Sequence, residues 1–325
     1  MNILLTSECN RRCSYCFAAE RISYDADGAT PHQAPRFMSR ESFGACLELA
    51  QRSKQRTIGV LGGEPSLHPD FVRLLEDAWD KGLRTKIFTN GCWPKKHLEA
   101  VVKRAPEAGR LLRLVVNLNH PLETPMRERQ AQHQFLQALG THCALSFNIH
   151  SAALDPLFLV EVVRSYHTRR DIRLGVAQPL AEAGNSHIDV DDYRKMVPAL
   201  MRLMEACDRS DIQMGFDCGF TLCMFTAEEL GRLRLAGARF KSDCGPVVDV
   251  GTDLSVWACF PLSTLSSGVS LTDFENLREL VQYFRKRFDR LYRTGALREC
   301  VDCKHRRRKH CSGGCAAHVY RRYNP

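Results

Sequence analysis

Six short apolar runs, separated by stretches with helical periodicity, limit the folds open to this chain more than any other feature. Residues 3–6, 57–61, 85–89, 112–118, 144–149 and 172–178 read as strands. Between them, Phe71, Leu74, Leu75, Ala78 and Trp79 recur at helical spacing over 69–81. Pro94 sits at an early helical position of a segment over 94–103, and helices follow over 156–166 and 191–206. Strands alternating with helices require a parallel sheet whose faces the helices cover. The expected fold is therefore α/β, a partial (β/α)6 barrel over 1–210, with ligands at the carboxyl ends of its strands.

The period breaks near residue 210. Residues 211–325 read as a smaller cysteine-rich domain with a hairpin-like stretch over 247–257, between Cys244 and Cys259. Thr272-x-x-Glu275 reads as a capping box opening a helix. Phe274, Leu277, Leu280, Val281, Phe284, Phe288 and Leu291 would share one face of that helix as core packing. A long loop over 18–38, with Asp27-Gly28, Pro31 and Pro35, reads either as a substrate-covering loop or as a passive excursion.

Composition excludes several classes. At 44% hydrophobic and 26% charged, the chain is an ordinary globular sequence, and no apolar run approaches bilayer length. Residues 1–8 lack the pattern of a signal peptide, so a cytoplasmic location is expected. In that setting the 15 cysteines read as metal ligands rather than a disulfide framework. Between residues 285 and 325 there are thirteen Lys/Arg against three Asp/Glu, which leaves the remainder at −1 of the total +9. The run Lys304-His305-Arg306-Arg307-Arg308-Lys309 suits compensation of anionic clusters or an acidic partner better than nucleic acid.

Cys9, Cys13 and Cys16, spaced C-x3-C-x2-C, follow the first strand. Three thiolates can hold three irons of a [4Fe–4S] cubane and leave the fourth open. Spacing alone also permits a zinc half-site or a redox trio. The stretch from Cys9 to Phe17, with Tyr15 just before the third cysteine, resembles the cluster loop of the radical S-adenosylmethionine (SAM) superfamily. Gly62-Gly63-Glu64-Pro65 ends the second strand, and its glycines permit close backbone approach to a ligand. It resembles the superfamily segment that contacts the SAM ammonium group, and the Glu64 carboxylate would suit that cation. Thr89-Asn90-Gly91 closes the third strand as the superfamily's Thr-Asn-Gly does. Asn117 and Asn148 are candidates for the SAM carboxylate or ribose, although Asn117-Leu118-Asn119-His120 stands where relatives carry Ser-Leu-Asp-Gly. The resemblance implies reductive cleavage of SAM to methionine and a 5′-deoxyadenosyl radical, which abstracts hydrogen from the substrate. A flavodoxin or ferredoxin would supply the electron.

Eight further cysteines lie downstream: Cys218, Cys223, Cys244, Cys259, Cys300, Cys303, Cys311 and Cys315. The run C-x2-C-x7-C-x3-C from Cys300 to Cys315 is compatible with zinc on spacing alone. Together with the hairpin cysteines it resembles the SPASM domain, which holds two auxiliary [4Fe–4S] clusters. That resemblance assigns Cys244, Cys259 and Cys315, with Cys218 or Cys223, to the first cluster. Cys300, Cys303 and Cys311 go to the second. The pattern's further downstream cysteine is not found before Pro325, and the x7 gap exceeds the usual five. The spare of Cys218 and Cys223, His310, His318, substrate or water are the alternatives for that ligand, and a single auxiliary cluster is the other outcome. Cys46, Cys92, Cys143 and Cys207 are expected to be free and buried, with Cys92 a candidate hydrogen donor.

SPASM enzymes mostly modify peptides or proteins. The leading expectation is maturation of a ribosomally made peptide by crosslinking or oxidation. Residues 1–8 leave no room for a fused leader-binding domain, so a separate recognition protein or direct docking is expected. Phe260 stands where sulfatase-maturing relatives carry a basic carboxylate, which weakens a formylglycine reading. The alternatives are an aminocyclitol or sugar dehydrogenase or epimerase, and a non-enzymatic iron–sulfur or zinc protein acting as a redox sensor on nucleic acid.

Overall fold

The structure, a computed structural model, describes residues 1–22 and 34–323. In chain order its elements are β1 (Asn2–Leu4), α1 (Arg40–Arg52), β2 (Thr57–Leu61), α2 (Phe71–Asp80), β3 (Arg84–Thr89), α3 (Lys95–Ala108) and β4 (Leu112–Asn117). Then come α4 (Met126–Leu139), β5 (Cys143–Ile149), α5 (Phe158–Tyr166), β6 (Asp171–Val176), α6 (Val197–Asp208), β7 (Gln213–Phe216), α7 (Ala227–Leu235) and β8 (Arg239–Phe240). The chain ends with β9 (Asp249–Val250), β10 (Val256–Trp257), α8 (Leu277–Arg287), α9 (Asp289–Thr294), α10 (Lys304–Arg307) and α11 (Ala316–Tyr323). All of the strands join one open sheet in the order β10-β9-β1-β2-β3-β4-β5-β6-β7-β8. Every pairing is parallel except β9 with β10.

The six anticipated strands form with their ends moved by at most two residues. Most of their apolar side chains are buried beneath the helices, while Arg84, Arg113 and Arg173 stay at least partly exposed. The sheet runs on past residue 210 through β7 and β8, which are too short to carry a periodic signal. The hairpin after Cys244 forms as expected, but its first strand joins the sheet beside β1: Asn2 and Ile3 lie opposite Asp249 and Val250. An Asn2 side-chain amide donating to Asp249 Oδ1 at 2.7 Å reinforces that register.

Two local expectations need correction. Thr272 does not open α8. Ser270 and Asp273 instead form a capping box around a single turn, and Asn276 caps α8 by accepting from the Glu279 N–H at 3.1 Å. The apolar stripe through Leu291 is divided between α8 and α9 at Phe288. The middle of the 18–38 loop, including Asp27, Gly28 and Pro31, lies outside the described residues. No helix among the described residues is long and apolar enough to cross a membrane.

Candidate active site

The cysteine loop leaves β1 and turns back over the carboxyl ends of β2, β3 and β4. Gly63 makes this approach possible, because a Cβ there would lie 2.2 Å from Glu8 O and 2.6 Å from Cys9 Cβ. Its N–H donates to Thr6 O at 2.9 Å, and that of Glu64 donates to Glu8 O at 2.7 Å. Among the described residues nothing donates to the Gly62 and Gly63 carbonyls. Two unclaimed acceptors beside Cys9 fit a ligand ammonium group.

The Glu64 side chain departs from the sequence expectation. It is completely buried and turned away from the loop. Its carboxylate accepts from Ser66 N at 3.2 Å, Ser66 Oγ at 2.8 Å, Thr89 Oγ1 at 2.9 Å and Asn90 N at 2.8 Å. Burial pushes the carboxyl above the usual range, while these hydrogen bonds favour the ionised form. Glu64 thus ties the Gly62-Gly63 turn to the Thr89-Asn90-Gly91 turn. Thr89 Oγ1 extends the tie by accepting from Trp93 Nε1 at 2.7 Å. Asn90 donates to Asn10 Oδ1 at 2.8 Å, joining the third strand's turn to the cysteine loop.

A polar chain crosses the strand ends. Asn148 Nδ2 donates to Asn117 Oδ1 at 3.1 Å, and Asn117 Nδ2 donates to Tyr15 Oη at 2.9 Å. The Tyr15 hydroxyl in turn donates to Asn119 Oδ1, and Asn119 Nδ2 reaches Cys13 Sγ at 3.9 Å. Tyr15, Asn117 and Asn148 are therefore brought together with the cysteine loop. Burial raises the Tyr15 phenol pKa, so it acts as a neutral hydrogen-bonding group. Its ring stacks on His150 at 4.6 Å between centroids, and His150 Nε2 lies 3.3 Å from Glu123 Oε1.

Sequence reasoning missed Arg11. Its side chain is only 3% exposed, with Nε 2.8 Å from Glu128 Oε2. Burial opposes its charge, but Cys13 and Glu128 outweigh this and hold its pKa above the ordinary value. Its Nη2 has no partner among the described residues. An arginine inside the cysteine spacing was the available signal; nothing in the sequence marked Glu128, on α4, as its partner. Cys92 lies beside this pair, with Sγ 3.9 Å from both Asn90 O and Glu128 O. Burial pushes its thiol up to about 12, which keeps it protonated.

The residues fit an iron–sulfur cluster with one open position. Burial raises the Cys9 thiol pKa, and Asn119 Nδ2, 3.9 Å from Cys13 Sγ, is a donor of the kind that stabilises cluster-bound thiolates. No three His, Cys, Asp or Glu side chains among the described residues converge enough to share a single ion. In a cubane each thiolate binds its own iron.

A small apolar core of Leu4, Ala18, Ile22, Trp257 and Phe260 joins the cysteine loop to the C-terminal hairpin, with Phe17 5.9 Å from Phe260 between ring centroids. Beyond it, Cys244, Cys259 and Cys315 pack together around Leu262 and Ala317. Cys218 is an electrostatic neighbour of Cys244, Cys259 and Cys315, whereas Cys223 has Cys311, Cys300 and Cys303 as its electrostatic neighbours. Cys46, Cys143 and Cys207 are buried in the main core.

The sheet carries its three-cysteine loop at the carboxyl ends of parallel strands. Residues 3–144 match the family described as the radical SAM superfamily. The match places a radical SAM domain over that stretch, and the superfamily implies a [4Fe–4S] cluster and SAM. Over 91 residues it is 31% identical to an S-adenosylmethionine-dependent nucleotide dehydratase of Selenomonas ruminantium, covering 28% of this chain and 29% of that protein. Over 120 residues it is 28% identical to a probable GTP 3′,8-cyclase of Methanocaldococcus jannaschii, covering 37% and 36%. These matches thus span about a third of the relatives' lengths. In fold, SuiB of Streptococcus suis bound to S-adenosylmethionine superposes with a TM-score of 0.65 at 14% identity, over 98% of this chain and 73% of that one. Native anSMEcpe with bound AdoMet gives 0.63 at 18%, over 97% and 88%.

Proposed function

We propose that this enzyme modifies a peptide by hydrogen abstraction, with residues 211–325 acting as a SPASM-like domain that holds auxiliary [4Fe–4S] clusters. Cys9, Cys13 and Cys16 hold the catalytic cluster. The Gly62 and Gly63 carbonyls receive the SAM ammonium group. Tyr15, Asn117 and Asn148 orient its polar groups, and Pro65 and Asn90 fix the two turns beneath. When bound, the cluster and SAM supply reductive sulfonium cleavage and hydrogen-atom abstraction. The protein's own residues bind, orient and exclude water: the Tyr15–Asn117–Asn148 chain presents fixed dipoles, and the core around Phe260 seals the side facing the hairpin.

The observation that carries the peptide reading is the likeness, over nearly the whole chain, to SuiB bound to the precursor peptide SuiA, at a TM-score of 0.61 and 15% identity. A flavodoxin or ferredoxin delivers the electron, and a separate protein or direct docking presents the peptide. The nucleotide-acting relatives favour a second reading, a small-molecule substrate. Anaerobically reconstituted protein with dithionite and SAM should release 5′-deoxyadenosine, and Cys13→Ala should abolish that release. A candidate precursor peptide should stimulate it and lose hydrogens by mass; stimulation by GTP instead would favour the second reading. No 5′-deoxyadenosine from fully iron-loaded protein would refute both.

A further inference from the structure

The C-terminal cysteines divide into two sets whose membership does not follow sequence order. Cys218 and Cys223 are close in the chain, yet the structure sends them to different places. Phe220, Thr221 and Leu222, between them, are each at most 3% exposed, and this buried wedge holds the two thiols apart. Gly219 turns the chain at φ +106°, where a Cβ would stand 2.2 Å from Gln178 Nε2. After the wedge, the turn Leu222–Met224 is anchored by Arg194 Nη1 donating to Met224 O at 3.1 Å. Thr221 Cγ2 would lie 3.3 Å from a Cβ on Gly314, between Cys311 and Cys315, so this turn rests on the last cysteine loop.

We infer that Cys223 supplies the fourth thiolate of the second auxiliary centre, completing Cys300, Cys303 and Cys311 from the upstream side, while Cys218 completes Cys244, Cys259 and Cys315. The inference rests on the auxiliary-cluster reading above. The electrostatic neighbours of Cys223 are Cys311, Cys300 and Cys303, whereas Cys259 and Cys315 both have Cys218 as a neighbour. Cys300 and Cys311 meet at one backbone turn: the Gly313 N–H donates to Cys311 Sγ at 3.3 Å and Cys300 Sγ lies 4.0 Å from Gly313 O, an approach that Cβ atoms on Gly295 and Gly313 would crowd at 3.0 and 3.1 Å from Cys300 Sγ. His318, a histidine alternative, is engaged elsewhere, with Nε2 3.2 Å from Tyr193 Oη. Tyr193 neighbours Cys315 and Cys218, the other set. Four thiolates at each centre leave no iron open, so both serve electron transfer and neither binds substrate. Coordination chemistry is then confined to the Cys9–Cys13–Cys16 loop.

Iron counts on the full anaerobically reconstituted chain, with circular dichroism to confirm folding, test the assignment. Wild-type protein should hold about twelve irons, at four per cubane. Cys223→Ala and Cys311→Ala should each leave about eight, and the double variant should also leave about eight, because both remove the same centre. Cys218→Ala with Cys311→Ala should leave about four. If the three remaining thiolates retain metal in Cys223→Ala, mild oxidation should give a three-iron paramagnetic signal, abolished by adding Cys311→Ala but not Cys315→Ala. Additive loss in Cys223→Ala/Cys311→Ala, or full iron in Cys223→Ala without that signal, overturns the assignment. A wild-type count near four, unchanged by any C-terminal substitution, instead overturns the auxiliary-cluster reading itself.

Discussion

Replacing Glu64 separates two roles for the Gly-Gly-Glu turn. In the structure its carboxylate accepts backbone N–H bonds from Ser66 and Asn90. It also accepts hydroxyl bonds from Ser66 and Thr89. Glu64→Ala leaves the two N–H groups buried without acceptors. Each stranded donor costs about 1–3 kcal/mol, so the loss is about 2–6 kcal/mol before any cavity is counted. At about 2–4 °C per kcal/mol for a large domain, the unfolding midpoint should fall by about 4–24 °C. Scanning fluorimetry of reconstituted protein at one fixed heating rate measures this, with SAM affinity determined by equilibrium dialysis well below the midpoint. The folded fraction of Glu64→Ala should bind SAM within about threefold of wild type, because the Gly62 and Gly63 carbonyls do not depend on the carboxylate's charge. A carboxylate that met the SAM ammonium directly would give the opposite pattern. An unchanged midpoint with affinity lowered more than tenfold, the size of a lost charge-assisted bond of about 1.5–3 kcal/mol, would refute the reasoning.

Two further predictions follow from buried charge. Glu128→Gln strands the Arg11 guanidinium; because Glu128 is partly solvated, the cost should be about 2–3 kcal/mol, and Arg11→Leu/Glu128→Leu should recover much of it in a double-mutant cycle of denaturation midpoints. Asp249 is fully buried, and burial lifts its carboxyl from 3.8 to about 7. The unfolded chain releases that proton near pH 4 and the folded chain near 7, so this group stabilises most at low pH and loses its contribution as pH rises through that window. Asp249→Asn should remove a slope of about 1.4 kcal/mol per pH unit between roughly pH 4 and 7. A variant whose pH profile parallels wild type would show that the group is ionised throughout.

The sheet was legible because six apolar runs at regular spacing, each covered by helices, leave few alternatives. Its outer strands were not: β7 to β10 have two to four residues each, and their pairing is decided by tertiary contacts. Within the site, Cys9, Cys13, Cys16 and the Gly62-Gly63 turn were readable because only certain residue types permit that chemistry or that close approach. The direction of the Glu64 side chain was not, since it depends on donors from Ser66 and the far-off Thr89 and Asn90. Arg11 was overlooked because an arginine in a loop reads as solvated, and Glu128 becomes its neighbour only when α4 packs. The division of Cys218 from Cys223 likewise depends on which intervening residues enter the core.

The docking of β9 beside β1 has a consequence for biosynthesis. Strand β1 pairs with β2 on one side and with β9 on the other, and the Asn2–Asp249 contact spans 247 positions. At about 5–20 residues per second, roughly 10–40 s pass between emergence of β2 and of β9. During that interval one edge of β1 exposes unpaired backbone groups, the kind of edge that recruits other strands. The nascent chain therefore carries its cysteine loop next to an adhesive edge until the hairpin arrives. Truncations ending before residue 249 should aggregate where the full chain stays monodisperse, and cluster insertion should follow completion of synthesis rather than accompany it.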